Sequence, residues 1–219
     1  MPRDEFEREL AAMRQEVLLM AGQVESQIHE SIGALQRRDV TAADAVREGD
    51  RELNELFREI REQCLLVIAK QQPVARDLRN LMGVLYIAAE LERMGDYAVR
   101  IARMATTLTS LPAKPLRAEF GVMAELATRQ VHDILDALIE GDDTRAREVA
   151  QKDDEIDRLY HRVFDDLVED VGAGAGPDDA LRAVTLMLVA HNLERIGDRV
   201  TNVAEDIVFL QTGQIVELG

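Results

Sequence analysis

The chain has one cysteine, five prolines and no tryptophan in 219 residues. A lone Cys64 cannot close an internal disulfide, and it fits a reducing compartment such as the cytoplasm. No apolar run approaches the roughly 20 residues that span a bilayer, and the longest candidate is TLMLVAHNL. The opening MPRDEFEREL is densely charged and does not read as a signal peptide. Alternating strand patterns are missing too. So are the arrangements that would make an enzyme: there is no Ser-His-Asp or Cys-His set. The GAGAG run has no preceding strand, so it reads as a flexible connection and not as a phosphate cradle. No Glu is followed by His three residues later, the pairing that ferritin-like carboxylate-bridged centres use.

What remains is 47% hydrophobic and 31% charged, with only 13 glycines, the profile of a helical globular protein. The length suits one large domain or two small ones with a real core. Net charge is −16 and unevenly spread: residues 1–110 carry 19 acids and 15 bases, residues 111–219 carry 23 and 11. Such a surface repels phosphate backbones and anionic headgroups, which argues against nucleic acid and against direct membrane binding. It suits cations.

Breakers fall at QRRDVT (36–41), KQQP (70–73), SLPAKP (110–115), EGDD (140–143) and GAGAGP (172–177). Six segments with apolar residues at helical spacing lie between them, the first showing Val17, Ala21, Val24, Ile28, Ile32 and Leu35. The segments repeat. QIHESIGAL (27–35) lies on QVHDILDAL (130–138) at an offset of 103, and ELERMGDYAVRIA (90–102) on NLERIGDRVTNVA (192–204) at 102. The expectation is an all-α chain of six long helices, a tandem repeat of two antiparallel three-helix bundles over 1–110 and 111–219.

Glu92 and Asp96, like Glu194 and Asp198, are four apart and share one helix face. Each pair continues an inward-facing stripe, so its charges need neutralising. Counting outward from turns centred near 72 and 174 sets Asp50 level with Met94, between Glu92 and Asp96. The same count sets Asp153 level with Arg195, between Glu194 and Asp198, and Asp157 one turn away near His191. Carboxylates converging from two helices make a metal site, and all-oxygen ligands favour Mg²⁺, Ca²⁺, Mn²⁺ or iron, with zinc also admitted. Arg93 and Arg195 sit next in sequence to these acids. Gly95 and Gly197 each cost about 1 kcal/mol mid-helix, so something must need the space. His29 and His132 match in position but lie beside the core stripe, which argues against their being ligands. Cys64 reads as a small buried hydrophobe.

With these motifs in view, the sequence resembles the PhoU family of phosphate-uptake regulators. The likeness is carried by QQPVARDLRNLMGVLYIAAELERMGDYAVRIA, NLERIGDRVTNVAEDIVFLQTG, VLLMAGQVESQIHESIGALQRRD and DDEIDRLYHRVFDDL, across essentially the whole chain. The resemblance implies tandem three-helix bundles, a homodimer, and multinuclear metal clusters, with iron or zinc favoured, on Glu/Asp-x-x-x-Asp motifs. Carried over residue by residue, those motifs are Glu92 to Asp96, Glu194 to Asp198 and Asp153 to Asp157. The fourth reads Asp50 to Asn54, an uncharged oxygen replacing the second acid, so the first site should be the weaker. The resemblance also implies a cytoplasmic negative regulator, linking the ATPase of the phosphate ABC transporter to the histidine kinase of the phosphate regulon and reaching the membrane only through these partners. The alternative is a metal-binding or metal-storage helical protein with no signalling role.

Overall fold

A computed structural model describes residues 2–172 and 176–219. The helices are α1 (Pro2–Arg37), α2 (Val40–Gln71), α3 (Arg76–Thr109), α4 (Glu119–Glu140), α5 (Asp143–Gln151), α6 (Asp153–Gly172) and α7 (Pro177–Thr212). Part of the Gly-Ala run read as a flexible connection, 173–175, lies outside the described residues. The all-α tandem plan holds, with the fifth expected helix divided into α5 and α6 at Lys152.

The helix ends follow from local chemistry. Asp39 caps α2, its carboxylate accepting from Ala42 N–H at 3.0 Å, and its repeat counterpart Asp142 caps α5 through Arg145 N–H at 3.0 Å. α4 ends on Gly141 at φ 64°, a left-handed conformation that glycine adopts without strain. At Lys152 the backbone N–H bonds back to Val149 at 3.0 Å, tightening the turn, while its ammonium reaches Asp133 on α4 at 2.8 Å. The counterpart of Lys152 is Gly49, which sits inside the unbroken α2.

α3 is packed by α1, α2 and α7, and α7 by α3, α4, α5 and α6; α1 also lies along α4. Helices from both repeats therefore share one core, to which α2, α5 and α6 also contribute, through Leu53 and Ile60, Val149, and Ile156. Met13, Met20, Ile28, Leu53, Ile60, Leu81, Leu91, Met94, Phe120 and Met123 are fully buried, and Cys64 is buried with them. Burial, with the Glu16 carboxylate adding to it, pushes the Cys64 thiol up to about 11, so it is an inert part of the core. The connection between repeats is clasped: Lys114 meets Asp179 at 2.5 Å, and Arg117 meets Asp166 at 2.8 Å and Asp170 at 2.7 Å. Arg182 also donates to the Pro112 carbonyl.

α3 and α7 run antiparallel and cross around a buried carboxylate. Glu90, 7% exposed, accepts from Arg93 at 2.5 Å, Arg199 at 3.2 Å and Asn202 at 3.1 Å. Beside it, burial and the charges of Glu90 and Glu205 push Asp206 up to about 7. A carboxyl held above its unfolded value binds its proton more tightly when folded. The stability it contributes is full below about pH 4 and is lost as pH rises to 7. Asp206→Asn should therefore raise stability only slightly near pH 5 and more at pH 8, there by on the order of 1–2 kcal/mol once solvent screening is allowed for. Urea unfolding of both proteins at the two pH values measures this; an equal shift at both would refute it.

Candidate metal centres

α2 and α3 bring Asp50, Asn54, Glu92 and Asp96 to one height. A side-chain carbon added at Gly95 would stand 3.4 Å from Asp50 Oδ1 and 2.9 Å from Gln27 Oε1, and would collide with Leu53. The empty side-chain position on Gly95 is thus the floor under Asp50. Burial first, then Asp96, hold Asp50 above the usual carboxylate range; burial, Asp96 and Asp50 do the same to Glu92. Asn54 donates its amide to Asp50 Oδ2 at 2.7 Å, which partly offsets this.

The second repeat builds the same arrangement from α6 and α7. Gly197 faces Asp153 so closely that an added carbon would overlap its Oδ1. Burial, then Asp157, Asp198 and Glu194, raise Asp153 to about 7, with a hydrogen bond from Gln130 acting in the other direction. Asp157 and Glu194 are raised as well, each by burial first and Asp198 second. Arg195 contacts Asp198 at 2.5 Å, and His191 Nδ1 lies 3.4 Å from Glu194. Burial and then Arg195 push His191 down, toward its neutral form.

Carboxylates that raise one another's proton affinity would be relieved by a cation between them. Buried oxygens without a hydrogen-bond partner gather at both places: Asp50 Oδ1 and Gln27 Oε1 in the first, Asp153 Oδ1, Glu194 Oε2 and Gln130 Oε1 in the second. Each would cost on the order of 1–3 kcal/mol if left unmet. Among the described residues no three His, Cys, Asp or Glu side chains stand so as to hold a metal ion as placed. The donor set itself, oxygen-rich with orphaned buried atoms, fits hard or oxophilic ions.

Gln27 and Gln130 are the residues that sequence reasoning missed. Both are buried polar side chains, 5% and 4% exposed, in matched positions on α1 and α4. Their signal was an amide inside an apolar stripe, repeated at the same place. His161 was missed too; it sits near enough to Asp157 and Glu194 to oppose the rise in both. His29 and His132 are elsewhere, lining a cavity between α1 and α4. Arg93 donates to Glu90, while its charge opposes the rise of Glu92.

The PhoU domain pattern matches residues 17–105 and again 120–207, one match per repeat. The chain belongs to the PhoU family. It is 35% identical over 219 residues to the phosphate-specific transport system accessory protein PhoU homolog of Clostridium acetobutylicum, covering 100% of this chain and 99% of that one. To the accessory protein PhoU of Escherichia coli it is 33% identical over 210 residues, covering 96% of this chain and 86% of that one. The crystal structure of PhoU from Pseudomonas aeruginosa superposes with a TM-score of 0.89 at 33% identity, over 95% of this chain and 100% of that one. PhoU from Streptococcus pneumoniae, titled a phosphate transport system regulatory protein, gives 0.89 at 25% identity, over 97% and 100%. Among the described residues of this PhoU-family chain, no helix is long and apolar enough to cross a membrane.

Proposed function

We propose that this chain is a metal-binding regulatory accessory protein of phosphate uptake. The observation that carries the metal half is the repeated cluster of uncompensated carboxylates, each with buried oxygens that lack partners. Asp50, Glu92 and Asp96, with Asn54 and Gln27 beside them, would hold ions in the first repeat. Asp153, Asp157, Glu194 and Asp198, with Gln130, would do so in the second. A bound cation would add positive charge that the nearby arginines supply only in part. The chain's own part is to hold carboxylates from two helices at one height, over glycines that leave them room. Arg195 and His191 limit how far Asp198 and Glu194 can turn away.

The regulatory half is supported by the names of the relatives, which are accessory proteins of phosphate-specific transport systems. On this reading the chain works as an adaptor between the transporter's ATPase and the sensor histidine kinase, with a homodimer as its working form. The acidic surface gives it a preference for basic faces on such partners.

Metal analysis of the purified protein beside the Asp153→Ala, Glu194→Ala, Asp198→Ala variant tests the first half, with circular dichroism to verify folding. Wild type should carry excess bound metal; equal content in two folded proteins would sink the cluster assignment. For the second half, pull-downs against the transporter ATPase and the kinase are run with and without metal. Failure to bind either partner in both conditions would reject the adaptor role.

A further inference from the structure

α1 and α4 line between them an open cavity of about 510 Å³ that belongs to neither acidic cluster. Its size is that of a small-molecule site. His29 and His132 line it as counterparts from the two halves. Arg37 and Arg129 line it as well but are not counterparts, since they correspond to Glu140 and Ser26. The Arg37 guanidinium folds back over Gly33, 2.9 Å from where a side-chain carbon would stand. Across the cavity the Gln36 amide nitrogen lies 3.3 Å from the same position on Gly121. Two bare glycines therefore keep the space open and let both donors lie along its wall. His132 Nδ1 rests 3.3 Å from Glu25, and Glu125 is on the same lining.

Charge is what distinguishes this place. In a chain of net −16, two guanidinium groups share one cavity, and among the described residues neither has an ion-pair partner. The donors outnumber what a planar carboxylate with two oxygens accepts, whereas a phosphate presents three terminal oxygens to guanidinium forks and imidazole N–H groups. The two carboxylates on the same wall repel a bare anion and require hydrogen-bond donors from the rest of the ligand. We infer that the α1–α4 cavity binds a phosphate monoester of nucleotide size, its phosphate on Arg37, Arg129 and the two histidines and its hydroxyl or amino groups on Glu25 and Glu125. This goes beyond the adaptor reading and does not depend on it.

Titration calorimetry with adenosine 5′-monophosphate, adenosine and inorganic phosphate tests it on the full chain. The monophosphate should bind, inorganic phosphate more weakly and adenosine not measurably. Arg37→Gln with Arg129→Gln should weaken the monophosphate by about 10- to 100-fold, the loss expected for charge-assisted hydrogen bonds. Both arginines are exposed, so the variant should melt with the wild type. The Asp153→Ala, Glu194→Ala, Asp198→Ala variant should bind the monophosphate unchanged, which separates this site from the metal clusters. No binding at millimolar monophosphate, binding indifferent to the two arginine changes, or inorganic phosphate binding as tightly as the ester would each overturn the inference.

Discussion

Replacing Phe120 by alanine should lower the unfolding free energy by about 3–5 kcal/mol, the range for deleting a fully buried aromatic ring. Phe120 is 0% exposed and is among the largest fully buried side chains. It stands one residue into α4, just after the clasped connection between repeats. A cavity there has few ways to collapse. On one side the connection is held by Lys114, Arg117 and Arg182, and on the other α4 is packed on both α1 and α7. For a chain of this size the loss corresponds to a fall of about 6–20 °C in Tm. Phe120→Leu, which keeps most of the volume, should cost about 1.5 kcal/mol or less. Thermal melts of the three proteins measure this, and a Phe120→Ala loss below about 1 kcal/mol would mean that the connection relaxes freely.

Gly197→Ala should reduce metal binding in the second repeat by about 10- to 100-fold, the range seen when the immediate surroundings of a metal ligand are disturbed. The added methyl overlaps Asp153 Oδ1 and comes within 3.4 Å of Ile156 Cδ1, so the carboxylate must leave its place. Stability should change little, because alanine gains about 1 kcal/mol over glycine inside a helix. Gly95→Ala should behave differently. Its methyl meets the Leu53 side chain, which is fully buried and has nowhere to go. Overpacking of this kind costs about 1–3 kcal/mol, against the same helical gain. Metal titration and urea unfolding of both variants separate the two effects. If Gly197→Ala held metal as tightly as wild type, Asp153 would not be a ligand.

The helical plan and the duplication were legible because helices write themselves at a period of 3.6 and the two copies share turn signals, Asp39 with Asp142 above all. The hairpin count set Asp50 level with Met94 and Asp153 level with Arg195; the structure places them against Gly95 and Gly197, one and two residues on, because antiparallel helices keep register across a short turn to within one turn of helix. Three things were not legible. The break at Lys152 rests on a tertiary contact to Asp133, and no proline or glycine marks it in the sequence. Gln27 and Gln130 belong to helices outside the hairpins, so counting from the turns could not find them. Glu90 and Asn192 are the one mismatch at the head of the repeated ELER/NLER motif, and sequence alone gave no sign that Glu90 anchors the crossing of α3 with α7.

That crossing also governs how the chain is made. Gly83, Glu90 and Met104 on α3 meet Leu210, Arg199 with Asn202, and Asn192 on α7, near the end of the sequence. When α3 leaves the ribosome, the helix that completes its packing has not yet been translated. At about 5–20 residues per second, the remaining roughly 100 residues take about 5–20 s. For that interval the first repeat presents an unfinished apolar flank, with Glu90 lacking Arg199 and Asn202. Nascent chains stalled after α3 should therefore bind chaperones, and those released after α7 should not.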